Sequence, residues 1–468
     1  MTTPDQAASN PELARELRRA LGPDAVLSDP AAVERYGRDE TEALFFRPEL
    51  VVLPASLDQV SAVLCLASAH GVPVTPRGAG TGLSGGALPV HGGIVLGLER
   101  MNRIRGIDER NLTVEAETGV VLAHLQDAVE AKGLFYPPDP ASRETCLIGG
   151  NLAEDSAGPR SCKHGSTRRW VLGLEAVLPD GSVMRTGGAN RKDVTGYNLT
   201  QILVGSEGTL AVLTAATLRL IAKPRATLTM LVPFDSLDAA AAAVESVFRE
   251  GHDPVACELL EEAALQAVEA VLPIPPQLIG KQALLLLELD GDDSEALLER
   301  AAGLAATTER LGGGDAIVAQ DVAEQRRLWA IRRKVGEAVK HRSLYKECDT
   351  VVPRSALADL VRAARSAAAR HGLEVICYGH AGDGNLHVNL LRGNLPNAQW
   401  EASRDAAEAE LFQAAVALGG KITGEHGIGL VQRRYLPLAA DPASLEIMRR
   451  LKAAFDPQGI LNPGKIFL

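Results

Sequence analysis

Positive charge is scarce in this chain: 48 lysines and arginines stand against 59 aspartates and glutamates, leaving a net charge of −11. A nucleic-acid partner would call for a basic excess, so that class is set aside, and an anionic small molecule would need a local basic pocket. Cysteine is equally thin. Cys65, Cys146, Cys162, Cys257, Cys348 and Cys377 are scattered with no C-x-x-C pair, which excludes a disulfide framework, a cysteine-held zinc and an iron–sulfur cluster of the chain's own. They read as buried thiols. No apolar run reaches the roughly 20 residues of a membrane span, and the opening "MTTPDQAASNPELARELRRAL" has no apolar stretch behind a basic start. The expected location is cytoplasmic, with membrane association only through a partner.

What is present is length and regular patterning. At 468 residues the chain exceeds one ordinary core, so two or three domains are expected. "SLDQVSAVLCLASAH" has helical apolar spacing behind Ser56 and a stop at Gly71, and "VPVTPR" then reads as a strand. Further on, "GGIVLGL" and "LTVEAETGV" read as strands, "LAHLQDAVEAKG" as a helix ended by Gly133, and "LGLEAVLPDGSVMRTG" as a hairpin about Asp180-Gly181. "GTLAVLTAATLRLIAKP" suggests a strand pair. From residue 223 a second α/β unit is expected: "SLDAAAAAVESVFREG" and "SEALLERAAGLAATTERLGG" as helices around a buried strand "KQALLLLELDGD". The class is α+β.

Seven glycines crowd the stretch from Gly78 to Gly93 in "PRGAGTGLSGGALPVHGG". Gly80, Gly82 and Gly85 satisfy G-x-G-x-x-G on paper, but a dinucleotide fingerprint must open a helix. Gly86, Pro89, Gly92 and Gly93 and then an apolar strand follow instead, so no helix is expected. Such a loop can wrap phosphate with its own N–H groups, because the backbone approaches closely where side chains are missing. Arg77, Thr81 and Ser84 would add side-chain donors. Two more polar, glycine-bearing tracts, "YPPDPASRETCLIGGNLAEDSAGPRSCKHG" and "GYNLTQILVGSEGTL", lack helical or strand periodicity over their polar portions and suggest further edges of one extended ligand.

Together with "PPDP", "IGGNLAEDSAG", "KDVTGYNLTQILVGSEGTLAV" and "LNPGKIF", the glycine loop resembles the FAD-linked oxidases with the vanillyl-alcohol-oxidase or p-cresol-methylhydroxylase type of flavin domain. The branch containing D-lactate dehydrogenase, the glycolate oxidase flavin subunit and D-2-hydroxyglutarate dehydrogenase is the most similar. The resemblance implies a two-part FAD-binding domain over 1–222, an α/β, ferredoxin-like cap carrying substrate and metal over 223–430, and a helix and tail over 431–468 returning to the FAD domain. It places the FAD pyrophosphate on Arg77, Gly78, Ala79, Gly80, Thr81 and Gly82 with Ser84 and Gly85. Pro138, Asp139, Ser142, Gly149, Gly150 and Asn151 would lie along the flavin and ribityl chain, with Gly158 and Gly165 shaping a turn, Glu207 and Gly208 facing the cofactor, and Asn462 reaching back from the tail. Thr81 stands where some relatives carry a histidine that attaches FAD, which implies non-covalent binding.

In "GHAGDGNLHVNLL", His380 and His387 bracket a glycine-rich turn. On spacing alone two surface-loop histidines are the commoner outcome, but "ITGEHGIG" adds Glu425 and His426 between glycines. Two neutral imidazoles and one carboxylate make a three-ligand set with positions open for substrate. The resemblance implies His380, His387 and Glu425 as ligands of a divalent metal, with zinc the first choice and manganese and iron as alternatives. His426 would be the general base and Asn389 a substrate contact. A base cannot also be a ligand, since a metal would occupy its lone pair.

The basic stretch "EQRRLWAIRRKVGEAVKHRSLYKE" reads by itself as an amphipathic helix with a solvated face. The resemblance singles out Arg332 of W-x-x-R for the substrate carboxylate, and Lys346 after a tyrosine as a second contact. Two departures stand out: the Arg-to-Lys interval is one residue shorter than in the hydroxyglutarate enzymes, and Gly336 replaces a hydroxyl side chain. Both weaken a second carboxylate pocket and favour lactate or glycolate. The implied partners are a small 2-hydroxy acid and an electron acceptor (a quinone, a cytochrome or an iron–sulfur subunit), and a homo-oligomer is compatible with the sequence. A redox-neutral flavin transferase akin to the ether-lipid synthases and a non-catalytic flavin scaffold are the competing readings.

Overall fold

The computed structural model describes residues 10–468, which divide into two compact units. The first comprises the chain up to Ser156, Ser166–Lys223 and Glu425–Leu468, and the second comprises Ala157–Gly165 and Pro224–Gly424. Among the described residues no helix is long and apolar enough to cross a membrane.

In the first unit a four-stranded sheet runs in the order Val26–Leu27, Leu50–Val52, Ile94–Gly97, Val74–Arg77, the last three parallel. Helix Leu57–His70 begins where the Ser56 hydroxyl accepts the Gln59 N–H and ends at Gly71, whose φ of 63° suits a residue without a Cβ. Its Val60, Val63, Leu64 and Ala67 form a core with Val52, Val74, Ile94 and Leu96. The second sheet is antiparallel, in the order Ile104–Asp108, Thr113–Glu117, Val212–Arg219, Val171–Val177, Val183–Gly187. The Asp180-Gly181 turn closes its hairpin, with Gly181 at φ 85°.

The expected pair in "GTLAVLTAATLRLIAKP" is instead one central strand, Val212–Arg219, followed by the separate Ile221–Ala222 pairing with Leu134–Phe135. No turn residue interrupts it, and buried neighbours on both sides suit a central position. The two polar tracts also hold short helices, Ile148–Glu154 and Leu199–Leu203. At seven and five residues they are too short to show an amphipathic period.

The second unit is built on a seven-stranded antiparallel sheet in the order Ile317–Val318, Ala226–Phe234, Ala283–Gly291, Ala256–Glu261, Glu374–Gly379, Asn385–Leu391, Tyr345–Val351. Leu328, Ile331, Val335 and Val339 of helix Val322–Arg342 pack with Ala264, Leu265 and Val268 of helix Glu262–Glu269 over Leu260, Leu286, Ile376 and Tyr378 of the sheet. This face carries the candidate site of the unit.

Candidate functional site

The glycine tract leaves the end of strand Val74–Arg77 and, as expected, forms no helix before Ile94. Among the described residues none of the backbone N–H groups from Gly78 to Gly86 donates to another protein group, although Ser84, Gly85 and Gly86 are buried. Unspent buried amides are costly without a ligand, and a row of them is an anion cradle. Two buried polar atoms, Ser84 Oγ and Arg77 Nη1, are likewise without a hydrogen bond. The Arg77 guanidinium lies beneath the loop, 5.7 Å from the Tyr36 ring centre, and a Cβ at Gly80 would collide with it. Burial lowers its pKa, with Asp39 opposing that shift. A Cβ on Gly78 would sit 3.5 Å from the Gly150 nitrogen, so the first two glycine tracts meet here. Nothing surrounds the Cβ positions of Gly82 and Gly150. This donor set fits the FAD expected from the sequence.

The other expected FAD contacts of this unit gather nearby or along the second tract. Asn151 is buried beside Cys146, its Oδ1 3.7 Å from the sulfur. The Pro138 carbonyl accepts from Gln126, and the Ser142 carbonyl accepts the Cys146 N–H. Asp139 is half-buried. Asn462 donates to the Gly86 carbonyl at 3.0 Å and to the Glu207 carbonyl at 2.8 Å, tying the tail to the loop. The Glu207 carboxylate accepts the N–H groups of Ile428 and Gly429 at 2.8 and 2.6 Å. Burial raises its pKa while those amides lower it. Gly208 packs on Pro76. Gly158 and Gly165 belong to the short excursion in the other unit, where the Gly158 N–H donates to Ser161 Oγ.

His426 and Glu425 open the last segment of the first unit, with His426 Nε2 3.7 Å from Glu425 Oε1. The next residue, Gly427, has no room for a Cβ against the carboxylates of Glu154 and Glu207. Leu430 and Val431 then donate to the Ser84 carbonyl. The general-base candidate is thereby laced to the glycine loop. Sequence reasoning missed Glu154 and Lys465. Burial and the Glu207 charge push the Glu154 carboxyl well above its usual range. Burial pulls Lys465 down to about 8, its Nζ donating to the Leu88 carbonyl and Asn462 Oδ1.

In the second unit the hairpin between Glu374–Gly379 and Asn385–Leu391 turns through Gly384 at φ 76°. It brings the His380 and His387 rings to 5.3 Å between centres at 83°, both nearly buried. His380 Nδ1 lies 2.8 and 2.9 Å from the two oxygens of Glu258, and His387 Nδ1 lies 3.2 Å from Glu347 Oε1. Asp349, opposite His387 in register, accepts from Asn385 and from the N–H of Gly424, the residue before Glu425. His380, held at Nδ1 by the Glu258 carboxylate, presents Nε2 to a cation, and two buried imidazoles beside carboxylates are a donor set that fits a divalent metal.

Arg332 donates from Nε to Glu258 Oε2 at 2.7 Å, and its guanidinium lies 4.7 Å from the Tyr378 ring centre. Among the described residues its Nη groups make no hydrogen bond. Burial alone would raise the Glu258 pKa, but the neighbouring His380 and Arg332 outweigh it and hold the carboxyl below its usual range. Asn389, fully buried, pairs in register with Glu347 and Ile376, and its amide neighbours the Tyr378 hydroxyl. A Cβ on Gly336 would stand 3.6 Å from that same hydroxyl. Lys346 is not brought to this face. Side chains alternate along Tyr345–Val351, so Lys346, opposite Leu390, points away from Glu347 and Asp349, and its Nζ is 3.7 Å from Glu408.

Residues 48–187 match the family described as FAD binding domain, and residues 223–466 match FAD linked oxidases, C-terminal domain. The glycolate oxidase subunit GlcD of Bacillus subtilis (strain 168) is 38% identical over 97% of this chain and 97% of its own. The D-lactate dehydrogenase of Anaerostipes hadrus is 34% identical, also over 97% of each chain. A solved structure of p-cresol methylhydroxylase superposes with a TM-score of 0.78, covering 98% of this chain and 97% of that one at 18% identity, which shows a shared two-part architecture.

Proposed function

Because the chain belongs to the FAD-linked oxidases, we propose that it oxidises a D-2-hydroxy acid, with D-lactate or glycolate favoured, to the 2-oxo acid. Electrons would pass to an acceptor other than NAD: a quinone, a cytochrome or an iron–sulfur subunit. The observation that carries the substrate class is Arg332. Its Nε is spent on Glu258, while its two Nη groups remain for a carboxylate on the sheet face that also holds His387 and Asn389.

FAD, when bound, supplies the two-electron acceptor, and a divalent cation at His380, His387 and Glu425 supplies Lewis acidity for the substrate's oxygens. The chain's own groups do the rest. Arg332 binds the carboxylate through a charge-assisted fork. Asn389 orients the substrate. His426 takes the hydroxyl proton, for which an imidazole is suited near neutral pH. Gly78 to Gly86 hold the pyrophosphate without a covalent link. Glu258 keeps the His380 imidazole in place.

Dye-linked turnover of glycolate or D-lactate by the isolated chain, before and after chelation, tests this reading. Chelation is expected to abolish flavin reduction and leave the yellow cofactor bound, since the glycine tract and the histidine hairpin belong to different units. Full activity in metal-free protein contradicts the metal assignment. A relative named as a subunit supports a second reading, a flavin subunit that works only with an iron–sulfur partner. Turnover by the isolated chain removes it.

A further inference from the structure

Glu258 is 0% exposed in the middle of strand Ala256–Glu261, flanked by the equally buried Cys257 and Leu259. A carboxylate there is tolerated only if its oxygens are fully engaged. Three elements converge on it: His380 from the end of strand Glu374–Gly379, Arg332 from helix Val322–Arg342, and its own strand. A carboxylate only accepts, so the neutral His380 ring must carry its proton on Nδ1, which makes Nε2 the ligand atom. The same carboxylate fixes the Nε edge of Arg332, which aims the guanidinium's remaining edge from its stack on Tyr378.

We propose that Glu258 is a positioning residue serving two jobs at once: it sets the tautomer and angle of the metal ligand His380, and it orients Arg332 for the substrate carboxylate. The proposal rests on the metal reading given above. It requires that metal affinity and substrate affinity fall together when Glu258 is changed. Changing Arg332 weakens substrate binding alone.

The test is zinc binding to the chelator-stripped, FAD-loaded full chain, by competition with a chromophoric chelator, beside thermal melting. Glu258→Gln leaves one amide oxygen for two donors and is expected to weaken zinc about 10- to 100-fold. It also leaves Arg332 as an uncompensated charge, so a lower melting temperature is expected. The double variant Glu258→Gln/Arg332→Met removes that charge and is expected to recover the melting temperature but not the zinc affinity. It also carries the test should the single variant fail to fold. Arg332→Met alone is expected to keep wild-type zinc affinity. Undiminished zinc affinity in Glu258→Gln overturns the proposal, as does zinc affinity that returns with stability in the double variant. Wild-type protein that takes up no zinc is a different failure, removing the metal reading itself and the proposal with it.

Discussion

Replacing Arg332 separates substrate recognition from the rest of the chemistry. Its Nη fork is the free edge of a guanidinium whose Nε is bonded to Glu258 at 2.7 Å and whose Cζ lies 4.7 Å from the Tyr378 ring centre. Hydrogen bonds to a charged group contribute about 1.5–3 kcal/mol. Losing the fork should therefore weaken 2-hydroxy acid binding about 10- to 150-fold, at roughly 1.4 kcal/mol per decade. Arg332→Ala would also strip a counter-ion from a carboxylate that is 0% exposed. Such a loss costs up to about 3–5 kcal/mol, reduced here because His380 remains bonded to Glu258. Arg332→Lys keeps a positive charge near Glu258 while removing the fork, so it isolates recognition from stability. The assay is anaerobic rapid mixing, reading the limiting rate of flavin reduction and the half-saturating acid concentration. Half-saturation should rise strongly in both variants, with melting temperature falling mainly in Arg332→Ala. An unchanged half-saturation in either variant would refute the assignment.

His426→Ala should slow flavin reduction by about 100-fold or more, the usual scale of acid–base contributions, and a loss of about tenfold or less would contradict its role as base. In the second unit Asp290 is held down to about 2: burial alone would raise its carboxyl, but His164 and Lys163 outweigh it. Because its folded pKa lies below the unfolded value of 3.8, the stabilisation is complete above pH 3.8 and disappears as pH falls towards 2. Asp290→Asn should therefore cost roughly 2 kcal/mol at neutral pH, with the gap to wild type closing across that acidic window in denaturant titrations; a pH-independent gap would contradict it. Gly336→Ala should raise stability by about 0.5–1 kcal/mol, since its Cβ would meet the Tyr378 hydroxyl at an ordinary 3.6 Å inside helix Val322–Arg342. A lower melting temperature would show the site to be tighter than that.

Local chemistry made much of this fold legible. The Ser56 cap and Gly71 stop delimit their helix because each satisfies backbone groups within a few residues, and Asp180-Gly181 makes its hairpin for the same reason. The glycine tract advertised its cradle because only glycine leaves amides so open. Long-range partners were not legible. Glu258 hides in "VACELLEE", where a buried carboxylate reads like a strand with one odd residue until His380 and Arg332, far along the chain, arrive beside it. Lys346 shows the complementary case. Its position after Tyr345 suggested a substrate contact, yet strand parity, readable only once the register to Leu390 is known, sends it to Glu408. Lys465 and Glu154 gained their shifted pKa values from burial that no local pattern announces.

Flavin oxidation of a small 2-hydroxy acid is tested most directly by mixing the anaerobic, FAD-loaded chain with D-lactate, L-lactate, glycolate, D-malate and D-2-hydroxyglutarate in turn and following the flavin absorbance. Rapid bleaching by D-lactate or glycolate is the predicted result. A flavin that stays oxidised with every acid in the panel would contradict it and leave a redox-neutral or non-catalytic flavoprotein in its place.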